Sequence, residues 1–102
     1  MTDRKSGILP PLSLRVRVPQ DVLMRQVGEE LVLLNMDRES YYGLNPSGAL
    51  LMQHAAAGAT IGEIVERMLN EFEVERERLE IDVRTVAAQL MAAGLLEEGM
   101  LA

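Results

Sequence analysis

Side chains able to do covalent chemistry are scarce in this chain, and they do not converge on a catalytic set. His54 is the only histidine, and it sits beside Ala55-Ala56-Ala57 with no acid or nucleophile at a telling spacing. A histidine in that setting reads as a packing or surface residue, not as a general base or metal ligand. The chain has no cysteine, which removes a disulfide scaffold, a thiolate metal site and a catalytic thiol. Glu71, Glu73, Glu75, Glu77, Glu80 and Asp82 crowd one segment. They lack the glycine and the fixed oxygen-ligand spacing of a calcium loop, so a solvated helix face is the better reading. Gly43, Gly48, Gly58 and Gly62 do not form a phosphate-cradling loop after a strand. What remains is recognition chemistry. Tyr41 and Tyr42 are adjacent in an extended run, so their side chains alternate in direction. One is expected in the core and the other free for binding. The seven methionines serve chiefly as core filler, with Met24, Met36 and Met91 suited to an adaptable groove wall.

The elements that must position these residues meet at Ser40-Tyr41-Tyr42-Gly43-Leu44-Asn45-Pro46-Ser47-Gly48. The tyrosines and Leu44 favour a short strand. Asn45 is a good helix N-cap, and Pro46 suits the first helical position, where its missing N–H costs nothing. Strand is therefore expected to run into helix without a loop. Upstream, Leu14, Val16 and Val18 alternate with polar residues until Pro19. A second extended run covers 21–27. Gly28-Glu29 makes a tight turn into a third run over 30–36, and Asp37-Arg38-Glu39 turns into 40–44. Turns this short join antiparallel neighbours, so the runs predict a meander with 40–44 at an edge unless the N-terminal arm covers it.

Downstream, the spacing predicts three helices. The first spans 46–57 and stops at Gly58. The second opens with the capping box Thr60-Ile61-Gly62-Glu63 and runs to about residue 71, burying Ile61, Ile64, Val65, Met68 and Leu69. Phe72 is expected to plug the base of the core beside Val74. The third spans 75–93 with the stripe Leu79, Val83, Val86, Leu90, ends at Gly94, and leaves Leu95-Leu96-Glu97 as a short apolar tail. A meander followed by three helices is an α+β domain of winged helix-turn-helix type.

At 102 residues this is one small domain, and 48% hydrophobic content supports folding although aromatics are only 3%. Residues 1–13 are expected to form a disordered or loosely ordered arm, 14–98 the domain and 99–102 a tail. No apolar run approaches the roughly 18 residues of a membrane span, and no signal peptide is visible; the absence of cysteine suits a cytoplasmic protein. Residues 1–45 hold six basic and six acidic side chains, whereas residues 46–102 hold four basic and ten acidic, the whole net charge of −6. Nucleic-acid binders need a basic footprint, and the helical half has the opposite sign.

Several segments together resemble a known family. They are Val18-Pro19-Gln20-Asp21-Val22, Leu33-Leu34-Asn35, the 41–49 junction through Ala49, Thr60-Ile61-Gly62-Glu63-Ile64-Val65, Asp82-Val83 and Ala93-Gly94-Leu95-Leu96. In order and spacing over about 16–97 they resemble the PqqD family, the stand-alone recognition elements that present precursor peptides to ribosomal-peptide-modifying enzymes. Within it, the junction is most similar to the small recognition subunit of split lasso-peptide leader peptidases. The first helix departs from the pattern. A tryptophan frequent in relatives is replaced by Leu50, Leu51 and Met52, which bears on pocket size and not on the fold.

The resemblance implies three antiparallel strands, three helices, and a leader peptide added as a further strand on the third strand's edge, against the third helix. Carried onto this chain, the strand is Glu39, Ser40, Tyr41, Tyr42, Gly43 and Leu44, and the helix face is Leu79, Asp82, Val83, Val86 and Leu90. It implies as partners a precursor leader peptide and a cognate leader peptidase or other peptide-modifying enzyme; the residues themselves point to no cofactor, metal, nucleic acid or catalytic residue. The alternatives are a winged-helix transcription regulator and a purely structural subunit.

Overall fold

The computed structural model describes residues 9–99. The meander is formed by β2 (Val22–Val27), β3 (Glu30–Asn35) and β4 (Ser40–Leu44), antiparallel in the order β2-β3-β4. Gly28, with φ of +63°, occupies the first position of the two-residue turn between β2 and β3, where a primed turn requires that conformation. The β3–β4 turn is longer and closes through Glu39, which takes a positive φ of 55°. Glu39 therefore belongs to the turn, as the residues predict, and not to the strand onto which the resemblance carried it.

Helices α1 (Pro46–Ala56), α2 (Ile61–Leu69) and α3 (Arg76–Ala92) follow. The junction forms as expected. Asn45 is the N-cap, its side-chain oxygen accepting the Gly48 N–H at 3.0 Å, with Pro46 next in the helix. The Thr60–Glu63 capping box is complete in both directions. The Thr60 backbone N–H it receives, ahead of the nearby Arg15 and Arg67 charges, holds the Glu63 carboxyl below its usual range. Gly94 ends α3 with φ of +77°, and Leu95 N–H returns to Leu90 C=O at 2.9 Å, a Schellman closure that turns Leu95 into the core. Phe72 is partly buried against the core, but Val74 is exposed and does not join it.

One connection differs from the expected meander. The first run, β1 (Val16–Arg17), does not join β2; it pairs antiparallel with β5 (Glu97–Glu98) as a separate two-stranded sheet. Pro19 C=O accepts a hydrogen bond from Val22 N–H in a turn that breaks the strand line, and period-2 alternation alone does not specify a partner. The residues expected to be an apolar tail are thereby structural, with Leu95 and Leu96 fully buried beside Val16. Of the arm expected over 1–13, residues 1–8 lie outside the described residues, as do 100–102 of the tail. The described part of the arm crosses the helices. Leu12 C=O accepts the Gly62 N–H at 2.8 Å, and Arg84 of α3 donates to Pro10 C=O at 2.8 Å. It does not cover β4.

Candidate functional site

β4 has a partner on one side only: among the described residues its far edge is unpaired. The phase of the ladder decides which of its amides are free. The two-residue turn pairs Val27 with Glu30, and beyond the far end Met36 N–H donates to Asp21 C=O at 2.9 Å. Both fix Glu30, Val32 and Leu34 as the residues whose amides face β2, because bonding alternates along an antiparallel pair. Leu31, Leu33 and Asn35 therefore face β4, where they pair with Leu44, Tyr42 and Ser40. The N–H and C=O groups of Tyr41 and Gly43 are left pointing off the sheet. That makes two donors and two acceptors in one line.

The same register assigns the side chains. Leu31, Leu33 and Asn35 are buried under the helices, and directly opposed residues share a face. Ser40, Tyr42 and Leu44 hence point to the helical side, while Tyr41 and Gly43 lie on the open face with Leu34 and Val32. The expected division into one core and one exposed tyrosine fails in burial though it holds in direction. Tyr41 is 74% exposed, and Tyr42, on the helical side, is still 41% exposed. α1 packs against both β3 and β4; on the inner surface of the edge strand Leu44 is partly buried against the core and Ser40 half-buried, while Tyr42 is left exposed. The two rings frame the free edge from opposite faces.

On α3 the five expected residues separate into two groups. Leu79, Val83 and Leu90 are buried in the common core. Their role is to seat the helix, and they offer no free surface. Asp82 is exposed and Val86 partly buried. Helical spacing places Asp82, Val86 and Ala93 on one flank and Arg84 and Met91 on the other. The Arg84 flank is bonded to the N-terminal arm; on the other flank Asp82 is exposed while Val86 is partly buried against the core.

One positioning residue carried no role that its sequence context could assign. Asn35 is the buried polar residue of the sheet. Its side-chain oxygen accepts the N–H groups of Asp37 and Arg38, each at 3.0 Å, and its amide donates to Gly94 C=O at 3.1 Å. A single side chain thus ties the β3–β4 turn to the end of α3, setting the relation between edge strand and helix. A Cβ on Gly94 would sit 3.1 Å from the Arg38 guanidinium carbon and 3.2 Å from the Asn35 amide nitrogen. An asparagine just before a turn is a signal that this residue bonds locally; its long-range partner is not readable from the chain.

No catalytic grouping accompanies the edge. His54 is half-buried on α1, and among the described residues no cluster of three or more His, Cys, Asp or Glu could hold a metal. No helix among them is long and apolar enough to cross a membrane.

The family model described as Coenzyme PQQ synthesis protein D (PqqD) matches residues 30–96. A comparison with curated proteins finds no match. Two solved structures are similar. TbiB1 in complex with the TbiA(beta) leader peptide superposes with a TM-score of 0.76 at 28% identity, covering 84% of this chain and 99% of that one. A lasso peptide synthetase B1 complexed with the leader peptide gives 0.74 at 26% identity, covering 80% and 96%. The family match spans β3, the free edge of β4, all three helices and the Gly94 closure, and on that extent the chain belongs to the PqqD family.

Proposed function

We propose that this protein is a non-catalytic adaptor that binds the leader region of a ribosomally synthesised precursor peptide and presents it to a modifying enzyme, with a leader peptidase as the finer assignment. The observation that carries the reading is the unpaired β4 edge, with the Tyr41 and Gly43 amides directed outward, in a domain so similar to two leader-peptide complexes. The leader adds as a fourth strand, and its alternate side chains enter a groove bounded by Tyr42, Leu44 and the Asp82–Val86 flank of α3. Four backbone hydrogen bonds at about 1 kcal/mol each fall short of the roughly −8 kcal/mol of a micromolar complex. Apolar anchors in that groove therefore supply much of the affinity. Against a DNA-binding role, Arg76 of α3 is paired with Glu66 and Arg84 with the arm's carbonyls, amid Glu75, Glu77, Glu80 and Asp82.

Amide hydrogen exchange with the leader peptide encoded beside the gene tests the mechanism. Binding is expected to protect the Tyr41 and Gly43 amides selectively, since those of Tyr42 and Leu44 are already bonded to β3. Tight binding with Tyr41 and Gly43 exchanging as fast as in the free protein overturns strand addition.

A further inference from the structure

The open face of the sheet carries a feature that the groove does not use. On that face Arg25, Val32 and Gly43 form one cross-strand row, with Glu30 beside it at the start of β3. Gly43 has no side chain, and the Glu30 carboxylate leans over it. A Cβ built on Gly43 would lie 3.0 Å from Glu30 Oε1 and 3.8 Å from Oε2. Arg25 stands diagonally across from Glu30 yet makes no ion pair with it; among the described residues the ion pairs are Arg17–Glu97 and Arg76–Glu66. The carboxylate is thus displaced toward the free edge, and among the described residues no cation is paired to it.

We infer that Glu30, reaching across Gly43, is a charge selector for the bound strand and favours a lysine or arginine at the leader position abreast of Gly43. The inference rests on the strand-addition reading above and specifies the class of peptide that this edge prefers. A strand added to β4 runs about 4.8 Å from it, and laterally opposed residues share a face whether the pairing is parallel or antiparallel. The leader residue abreast of Gly43 therefore points to the open face, away from α3. Its Cβ stands about 5 Å from the Gly43 position, within reach of Glu30 for a long basic side chain but not for a short one. A side chain at residue 43 would fill that path. Two residues along, the leader position abreast of Tyr41 meets an exposed ring in place of a charge. The preferred leader thus has a basic residue at one outward position, spaced two from an outward position that lies on an aromatic ring. Its groove-facing residues alternate with these.

A lysine–glutamate scan through the leader encoded beside the gene, read by fluorescence anisotropy against wild-type protein, Glu30→Gln and Glu30→Lys, tests this. One leader position is expected to bind about fivefold more tightly as lysine than as glutamate, the range for exposed charge pairs. That preference disappears in Glu30→Gln, reverses in Glu30→Lys at that position alone, and shrinks at about 0.5 M salt, where surface charges are screened. Unchanged thermal midpoints verify that the exposed substitutions leave the fold intact. If the leader binds and protects the Tyr41 and Gly43 amides, but no position reverses its preference in Glu30→Lys, the selector is wrong and the strand-addition reading stands. If no member of the scan binds, both fall together.

Discussion

The two halves of this small domain are built to opposite ends. The helical half holds the whole net charge on its surface and a continuous apolar interior, with Ile61, Ile64, Val65 and Met68 of α2 packed against Leu79, Val83, Ala87 and Leu90 of α3. The sheet half is neutral in sum and leaves large side chains in solvent, among them Leu23, Val27, Met36, Tyr41 and Tyr42. The helices bond their own backbone internally, and several of their ends are closed by the Asn45 cap, the Thr60–Glu63 box, the arm's Leu12 and Leu14 carbonyls and the Gly94 turn. The sheet ends in a row of unsatisfied donors and acceptors. An exposed edge of this kind is a liability unless a partner uses it. The free edge belongs to the sheet half and most of the buried core to the helical half, with Val22, Leu31 and Leu33 of the sheet sharing that core and Asn35 tying the β3–β4 turn to the end of α3.

The sharpest way to break this division is in the α2–α3 interior. Ile64→Ala opens a cavity in the best-packed region and is expected to cost about 3 kcal/mol, read as a lower midpoint in urea denaturation. Any loss of leader binding should follow only from unfolding. The link itself comes next. Asn35→Ala removes three hydrogen bonds and leaves the Gly94 carbonyl and two turn amides without their partner, an expected loss of about 2–3 kcal/mol. Unlike Ile64→Ala, it should weaken leader binding even under conditions where the domain stays folded, because β4 and α3 lose their fixed relation.

Proline in the edge strand separates recognition from stability at neighbouring residues. Tyr41→Pro deletes an outward N–H and is expected to lower leader affinity about tenfold or more while shifting the thermal midpoint little. Tyr42→Pro deletes an N–H bonded to β3 and should reduce stability first. Equal effects of the two on binding would contradict the outward direction of the Tyr41 amide. The smallest expected effect lies at the α2 cap. The Glu63 carboxyl is held below its usual range by the Thr60 N–H. Its contribution is therefore fully present above the ordinary carboxylate value near 4.5 and fades as pH falls through the lowered folded value. Wild type should exceed Glu63→Gln in thermal midpoint at neutral pH, with the difference closing on acidification while leader binding stays unaffected by the substitution.

Much of the fold was legible because its signals are local. The Asn45-Pro46 start, the Thr60–Glu63 box, Gly28 at its turn and Gly94 at its helix end each act within four residues, so residue type alone decides them. The period-2 runs and the helical stripe likewise marked strands and helices, and the edge position of β4 followed from the short turns. What the chain could not state locally was who pairs with whom across long separations. That β1 takes β5 as its partner, that Leu95 and Leu96 belong to the core, and that both tyrosines stay exposed all depend on where the helices stop over the sheet. The split of the α3 residues into the buried Leu79, Val83 and Leu90, the partly buried Val86 and the exposed Asp82 depends on which side of α3 packs into the core with α2. The reach of Glu30 over Gly43 depends on the register of two strands. Sequence by itself determined the elements and their order, because caps, turns and periodicity are nearest-neighbour physics. Only tertiary structure decided which amides and side chains remain free, because a group is unpaired only relative to everything that packs around it.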